Sequence, residues 1–104
     1  MFYNLEYLPV ARRDILEIAK YISRKLENPM AAERLVTAMI EKGERLREMP
    51  YLNPVYTPIR PLRYEYRKVK VKNYLMFYHV DEQEKNITVA RVIYAKRDYE
   101  NELD

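Results

Sequence analysis

Four of the chain's six prolines fall within twelve residues, PYLNPVYTPIRP at positions 50–61. Proline donates no backbone hydrogen bond, so this stretch can be neither regular helix nor central strand. It must be a stiff connector, and what lies on either side of it has a different hydrophobic period. On the N-terminal side, Ile15, Ile18, Ala19, Ile22 and Leu26 recur at helical spacing, with Arg13, Glu17, Lys20, Arg24 and Lys25 on the outside. Pro9 suits the first turn of that helix, where a missing N–H costs nothing. Asn28-Pro29 supplies a cap and a first-turn proline for a second helix, whose stripe is Ala32, Leu35, Val36, Met39, Ile40, Gly43 and Leu46. Gly43, the one glycine in the chain, permits close approach, and Pro50 ends the helix. Two helices joined by so short a turn should lie antiparallel as a hairpin.

Ahead of the helices, FYNLEYL places Tyr3, Leu5 and Tyr7 on one side and reads as a strand. Beyond the connector come three strand-like runs, Arg63 to Lys72, Tyr74 to Asp81 and Asn86 to Lys96. A tight turn at Lys72-Asn73 and the polar loop DEQEK separate them, which favours an antiparallel meander. The expected fold is α+β, in the order β-α-α-β-β-β, with the helical hairpin packed on one face of a small, twisted, mostly antiparallel sheet. Residues 1–104 then make one domain ending in a short acidic tail, YENELD.

With no cysteine, disulfides, thiolate zinc sites and cysteine nucleophiles are excluded, and a reducing cytoplasm is the simplest location. A single histidine, His79, argues against an imidazole zinc site, and neither metal nor cofactor is expected. No run reaches the ~20 apolar residues a membrane span needs, so no membrane partner is expected.

The net charge of +3 is unevenly placed, because residues 60–72 carry Arg60, Arg63, Arg67, Lys68, Lys70 and Lys72 against Glu65 alone. Strand alternation puts Val69 and Val71 on one face, toward the helices, and Tyr64, Tyr66, Lys68, Lys70 and Lys72 on the other. Lysines contact phosphates and tyrosine faces stack bases, so this second face suits single-stranded RNA. It equally suits an ordinary solvated sheet face whose lysines discourage edge pairing. RVIYAKRDYE, residues 91–100, reads as a strand ending in a functional Arg97, or as a strand closed by a surface Arg97-Asp98 cluster. His79 is either a general acid or base or a packed structural residue. No Ser-His-Asp arrangement, carboxylate pair or metal-spaced cluster can be assembled.

The order of elements, with LEYLPVARRDILEIAKYI, the proline-rich loop and EYRKVKVKNYLMFYHVDEQEKNITVARVIYAKRDYE, resembles the RelE/ParE superfamily of type II toxin–antitoxin toxins. The resemblance implies a growth-inhibiting toxin with a cognate antitoxin as partner, and one of two targets. RelE-like members cut mRNA at the ribosome, whereas ParE-like members poison DNA gyrase. Carried over residue by residue, the RelE-like nuclease site falls on Lys68, Lys70 and Arg97, with Arg67 and Tyr99 as auxiliaries. The arginine such enzymes keep just after Tyr74 is Leu75 here, and the tyrosine expected beyond Arg97 falls near Leu103, with Tyr99 closer. The ending VARVIYAKRDYE is similar to the ParE side, so the expectation leans to gyrase inhibition. An mRNA endoribonuclease and an inactive RNA-binding homologue are the alternatives. In a binding role the candidate residues are Arg63, Tyr64, Tyr66, Lys72, Arg97 and Asp98.

Overall fold

The computed structural model describes residues 2–103. A short strand β1 (Asn4–Tyr7) leads into α1 (Pro9–Lys20), which runs on as a π-helical turn over Tyr21–Lys25. After α2 (Pro29–Leu46) and the proline-rich connector come β2 (Arg67–Val71), β3 (Tyr74–Asp81) and β4 (Asn86–Tyr94). The sheet has the order β1-β4-β3-β2, with β1 parallel to β4 and the other pairs antiparallel. The α+β hairpin-on-sheet architecture read from the sequence is the one observed.

The expected start signals act as anticipated. Pro9 opens α1, and the Asn28 side chain accepts from the Ala31 N–H at 3.1 Å to cap α2. Strand boundaries are tighter than the residue pattern suggested. The first strand covers Asn4–Tyr7, β4 stops at Tyr94 rather than Lys96, and β2 joins the ladder only at Arg67 rather than Arg63. The reason in β2 lies in the connector, which comes alongside its first residues. Tyr56 N–H donates to the Tyr66 carbonyl at 2.8 Å, and Val55 bridges Arg67. The open edge of the sheet is thus covered at one end by a segment whose prolines prevent further pairing.

The core differs more from expectation. Alternation holds in that Val69, Val71, Met76, Tyr78, Ile87, Val89 and Val92 pack toward the helices with Leu35, Met39 and Leu46. The opposite face, read as a tyrosine-lysine ladder or a solvated surface, instead carries a second core of Tyr56, Tyr66, Leu75, Phe77, Ala90, Ile93 and Leu103. Tyr66 is 4% exposed whereas Tyr64 is 45% exposed, so the expected exposure of the ladder holds only for Tyr64 of the two. The cover is made by the connector and by the C-terminal tail, whose Leu103 is 1% exposed. The short acidic tail packs because one leucine finds an apolar site on the sheet.

The connector is pinned from several sides. Tyr78 donates to the Pro50 carbonyl at 2.7 Å, and Arg67 donates to the carbonyls of Asn53 at 2.6 Å and Tyr51 at 3.3 Å. In the β3–β4 loop, Glu82 accepts from Tyr51 Oη at 2.5 Å and Tyr3 Oη at 2.8 Å, and pairs with Lys85. The Lys85 contact, with those two tyrosine bonds, holds the Glu82 carboxyl down at about 2. A depressed carboxyl pKa contributes stability that is present above the ordinary value of 4.5 and is lost as pH falls toward 2. The exchange protection of the amides of residues 51–53, taken relative to the unstructured rate at each pH, should therefore fall across that window, earlier than global unfolding, and a Glu82→Gln variant should lack the pH dependence.

Gly43 shows why the chain uses its one glycine here. A Cβ at this position would collide with the hydroxyl of Tyr7 and lie 3.3 Å from Cζ of that ring. The Tyr7 hydroxyl is buried without a hydrogen-bond partner. Gly43→Ala should cost about 1–3 kcal/mol by overpacking, against a helix-propensity gain of about 1 kcal/mol. In a Tyr7→Phe background the colliding hydroxyl is gone and only the 3.3 Å contact with Cζ remains, so the same substitution should cost distinctly less in urea unfolding. Equal effects in both backgrounds would remove the collision as the cause.

Candidate functional site

The sequence candidates separate into two cavities on the face opposite the helices. The first, of about 540 Å³, is lined by Val55, Tyr56, Thr57, Lys68, Arg97, Asp98, Tyr99 and Glu100. It brings together Lys68 from β2 with Arg97, Asp98 and Tyr99 from the segment after β4. The Lys68 ammonium lies 5.4 Å from the Tyr56 ring centroid and 6.0 Å from that of Tyr99, within cation–π range. Tyr56 and Tyr99 meet edge to face at 5.8 Å, and both rest on Phe77. Arg97 forms an ion pair with Glu102.

The walls of this cavity are acidic as well as basic. The Tyr56 hydroxyl donates to Glu100, whose other oxygen accepts from the Ile59 N–H at 3.2 Å. Burial, followed by the bond to Glu100, pushes the Tyr56 pKa well above that of a free phenol. Tyr56 is therefore a weak acid here, and Asp98 and Glu100 balance the charges of Lys68 and Arg97.

The second cavity, of about 600 Å³, is lined by residues that include Arg63, Tyr64, Tyr66, His79, Arg91 and Glu102. The His79 ring stacks on Tyr64 with centroids 3.8 Å apart and planes at 6°, and Tyr66 meets both rings edge-on. The histidine is thus packed between strand and connector, away from Lys68 and Arg97. Lys70 is exposed on the same sheet face as Lys68 without lining either cavity. Lys72 sits in the β2–β3 turn at φ 54° and faces a third cavity beside the helices. Arg67 spends its guanidinium on the connector carbonyls. Leu75 is buried in the second core, so the position of the absent arginine is apolar.

Sequence reasoning missed the residues that hold the two cavities together. β4 carries a bulge at which Phe77 pairs with Arg91 and Tyr78 with Val89, leaving Ala90 as the extra residue. Arg91 Nε and Nη2 donate to the Asp14 carboxylate of α1 at 2.8 and 3.0 Å, while Nη1 donates to Glu102 Oε2 at 3.1 Å and to the Glu102 carbonyl at 3.1 Å. Asp14 also accepts from the Val92 N–H at 3.0 Å. The hydrogen bond from Arg91 and the pairing with Arg97 hold Glu102 below the ordinary carboxylate range. The only sequence signal was the spacing of Glu100, Glu102 and Leu103, which offers acids and an apolar anchor on a short tail.

A profile described as "ParE toxin of type II toxin-antitoxin system, parDE" matches residues 5–99. The chain belongs to the ParE toxin family. As a member of that family it is a type II toxin of the RelE/ParE superfamily. No curated protein matches the sequence significantly. Solved structures share the fold at low identity. The chromosomal ParDE system from P. aeruginosa superposes with a TM-score of 0.73 at 16% identity, covering 91% of this chain and 98% of the other. The RelBE2 toxin–antitoxin complex from Mycobacterium tuberculosis gives 0.65 at 19% identity, covering 90% and 99%. A mutant of the E. coli toxin RelE in the free state gives 0.63 at 15% identity, covering 99% and 94%. The neighbours of this ParE-family toxin therefore include both branches of the superfamily.

In the ParE-family chain, the Arg91 side chain is 15% exposed and so is that of Asp14. Removing one partner strands a largely buried charge, so Asp14→Ala should destabilise by about 2–4 kcal/mol in urea unfolding, near the range for broken buried pairs. Asp14→Asn, which retains an oxygen for the Val92 N–H, should cost less. Equal losses would assign the effect to the ion pair alone, whereas a nearly silent Asp14→Asn would assign it to that hydrogen bond.

Proposed function

We propose that this toxin acts on DNA gyrase and is held inactive by a cognate antitoxin, and that it does not cut mRNA. The observation that carries this reading is the state of the Lys68–Arg97 cavity. Cleavage at a 2′-hydroxyl needs a base near neutrality, an acid for the leaving oxygen and cations for the phosphate charge. Here Lys68 is set against two tyrosine rings, Arg97 is paired with Glu102, and Asp98 and Glu100 line the space a phosphate would enter. The phenol of Tyr56 is poorly acidic, the single histidine lines the other cavity, and Leu75 supplies no third cation.

A protein target suits the neighbouring surface better. Leu52, Val55 and Ile59 project from the connector at 68, 41 and 89% exposure, on a segment stiffened by its prolines and pinned by Arg67, Tyr78 and Glu82. Rigid, exposed apolar anchors lose little freedom on docking, which favours protein–protein recognition.

One observation favours the nuclease reading, namely that Lys68, Arg97 and Tyr99 share one cavity. The two readings separate cleanly in vitro. The purified chain should inhibit supercoiling by gyrase and accumulate cleavage complexes, while primer extension on message in a translating extract should show no new ends. Codon-phased cuts with unaffected gyrase would reverse the assignment. Co-expression with the adjacent antitoxin should relieve growth inhibition in either case.

A further inference from the structure

The outer face of the helical hairpin, turned away from the sheet, takes no part in either cavity. A groove of about 430 Å³ runs along it between α1 and α2. On the α1 side it presents Leu16, Ala19, Lys20 and Arg24, and on the α2 side Glu33 and Val36, with Ile40 one turn further along the same helix face. Leu16 is 56% exposed and Ile40 is 52% exposed, a pair of large aliphatic side chains at one end of the groove. Toward the interhelical turn the groove becomes charged, with Lys20 at the end of α1 and Arg24 in the π-helical turn that continues it, and an acid on α2. Among the described residues, no ion pair joins Lys20, Arg24 or Glu33 to any other group of the chain.

We infer that this face pairs with a second copy of the chain. The charge layout is self-complementary under one symmetry operation. Because the helices are antiparallel, a two-fold axis parallel to them lays α1 of one copy over α2 of the other at the same height. Leu16 then meets the partner's Ile40, while Lys20 and Arg24 meet the partner's Glu33, and both contacts occur twice. Such an isologous interface closes on itself. The small Ala19 between these contacts lets the helices approach. A single-sign face would repel its own copy, and a wholly apolar one would carry no register; this one has an apolar end and a charged end in fixed order. The sheet and its cavities face outward in both copies, so pairing makes the toxin bivalent while leaving the proposed target surface open.

The test is sedimentation equilibrium of the full chain as a function of concentration, with unfolding curves confirming that each variant is folded. The wild type should self-associate, more weakly at high salt because the pairs are exposed. Glu33→Lys should weaken association by about tenfold or more, since it sets like charges together, as should Lys20→Glu with Arg24→Glu. The triple variant carrying all three exchanges should regain most of the lost affinity. Leu16→Asp should abolish association without lowering the urea midpoint. A wild type that stays monomeric at all concentrations overturns the proposal. So does a dimer that the charge exchanges leave unchanged, or one that the triple variant fails to restore. Gyrase inhibition by the Leu16→Asp monomer is read separately, so loss of pairing and failure of the gyrase assignment remain distinguishable.

Discussion

Arg91 ties together the three layers of the molecule, and its place depends on one extra residue in β4. If β4 alternated without interruption, the side chains from Arg91 onward would be on the wrong faces. The bulge at Ala90 resets the phase, so that Val92 packs toward the helices and Ile93 toward the tail. It also aims the guanidinium at Asp14 on α1 and Glu102 on the tail. Beyond the short β1, the edge of β4 is covered by α1, where Asp14 takes the Val92 N–H that no strand is there to receive. A cation with so little exposure would be costly alone. Two carboxylates and a carbonyl satisfy it, and in doing so fix helix, sheet and tail relative to one another.

This arrangement changes what the basic segment can do. On an open sheet, the lysines and tyrosines of β2 would form a continuous strip for a nucleic-acid strand. The connector and tail divide that strip and bring carboxylates to it, with Glu100 and Asp98 beside Lys68 and Glu102 between Arg91 and Arg97. Arg60 donates to the Leu103 carbonyl at 3.1 Å and to that of Glu100 at 3.4 Å, so another of the segment's cations is spent on holding the tail. Part of the local excess of positive charge evident in the sequence, at Arg60 and Lys68, is therefore answered by residues some thirty or more positions downstream. Fields at a surface are set by the folded arrangement rather than by the run of letters.

The helical hairpin was legible because its determinants are local: apolar spacing, an asparagine cap, and prolines at first-turn positions. Alternation in β2 was legible for the same reason, as was the value of Gly43 for close packing. The second core was not. Tyr64 and Tyr66 occupy equivalent positions in an alternating pattern, yet one lies under the connector and the other at its margin, and nothing in the segment itself distinguishes them. The pairs that build the site, Tyr56 with Glu100 and Arg91 with Asp14, are separated by 44 and 77 residues. Single-sequence patterns carry no signal for such contacts. The grouping of the candidate residues into two cavities, and their charge partners, belong to the fold.

Under the gyrase reading, a cavity whose cations already have partners has a physical logic. A catalytic site needs its cations poised and unpaired until substrate arrives, which leaves repulsion and desolvation uncompensated in the free protein. In this chain Lys68 and Arg97 have partners already, and the same residues help lock the tail and connector in place. That gain in rigidity works against phosphate chemistry, because each cation must abandon a contact before it can stabilise a transition state. It works in favour of a protein partner, because the exposed Leu52, Val55 and Ile59 depend on the locked connector for their positions. A surface that recognises another protein is improved by the same tightening that would impair a nuclease.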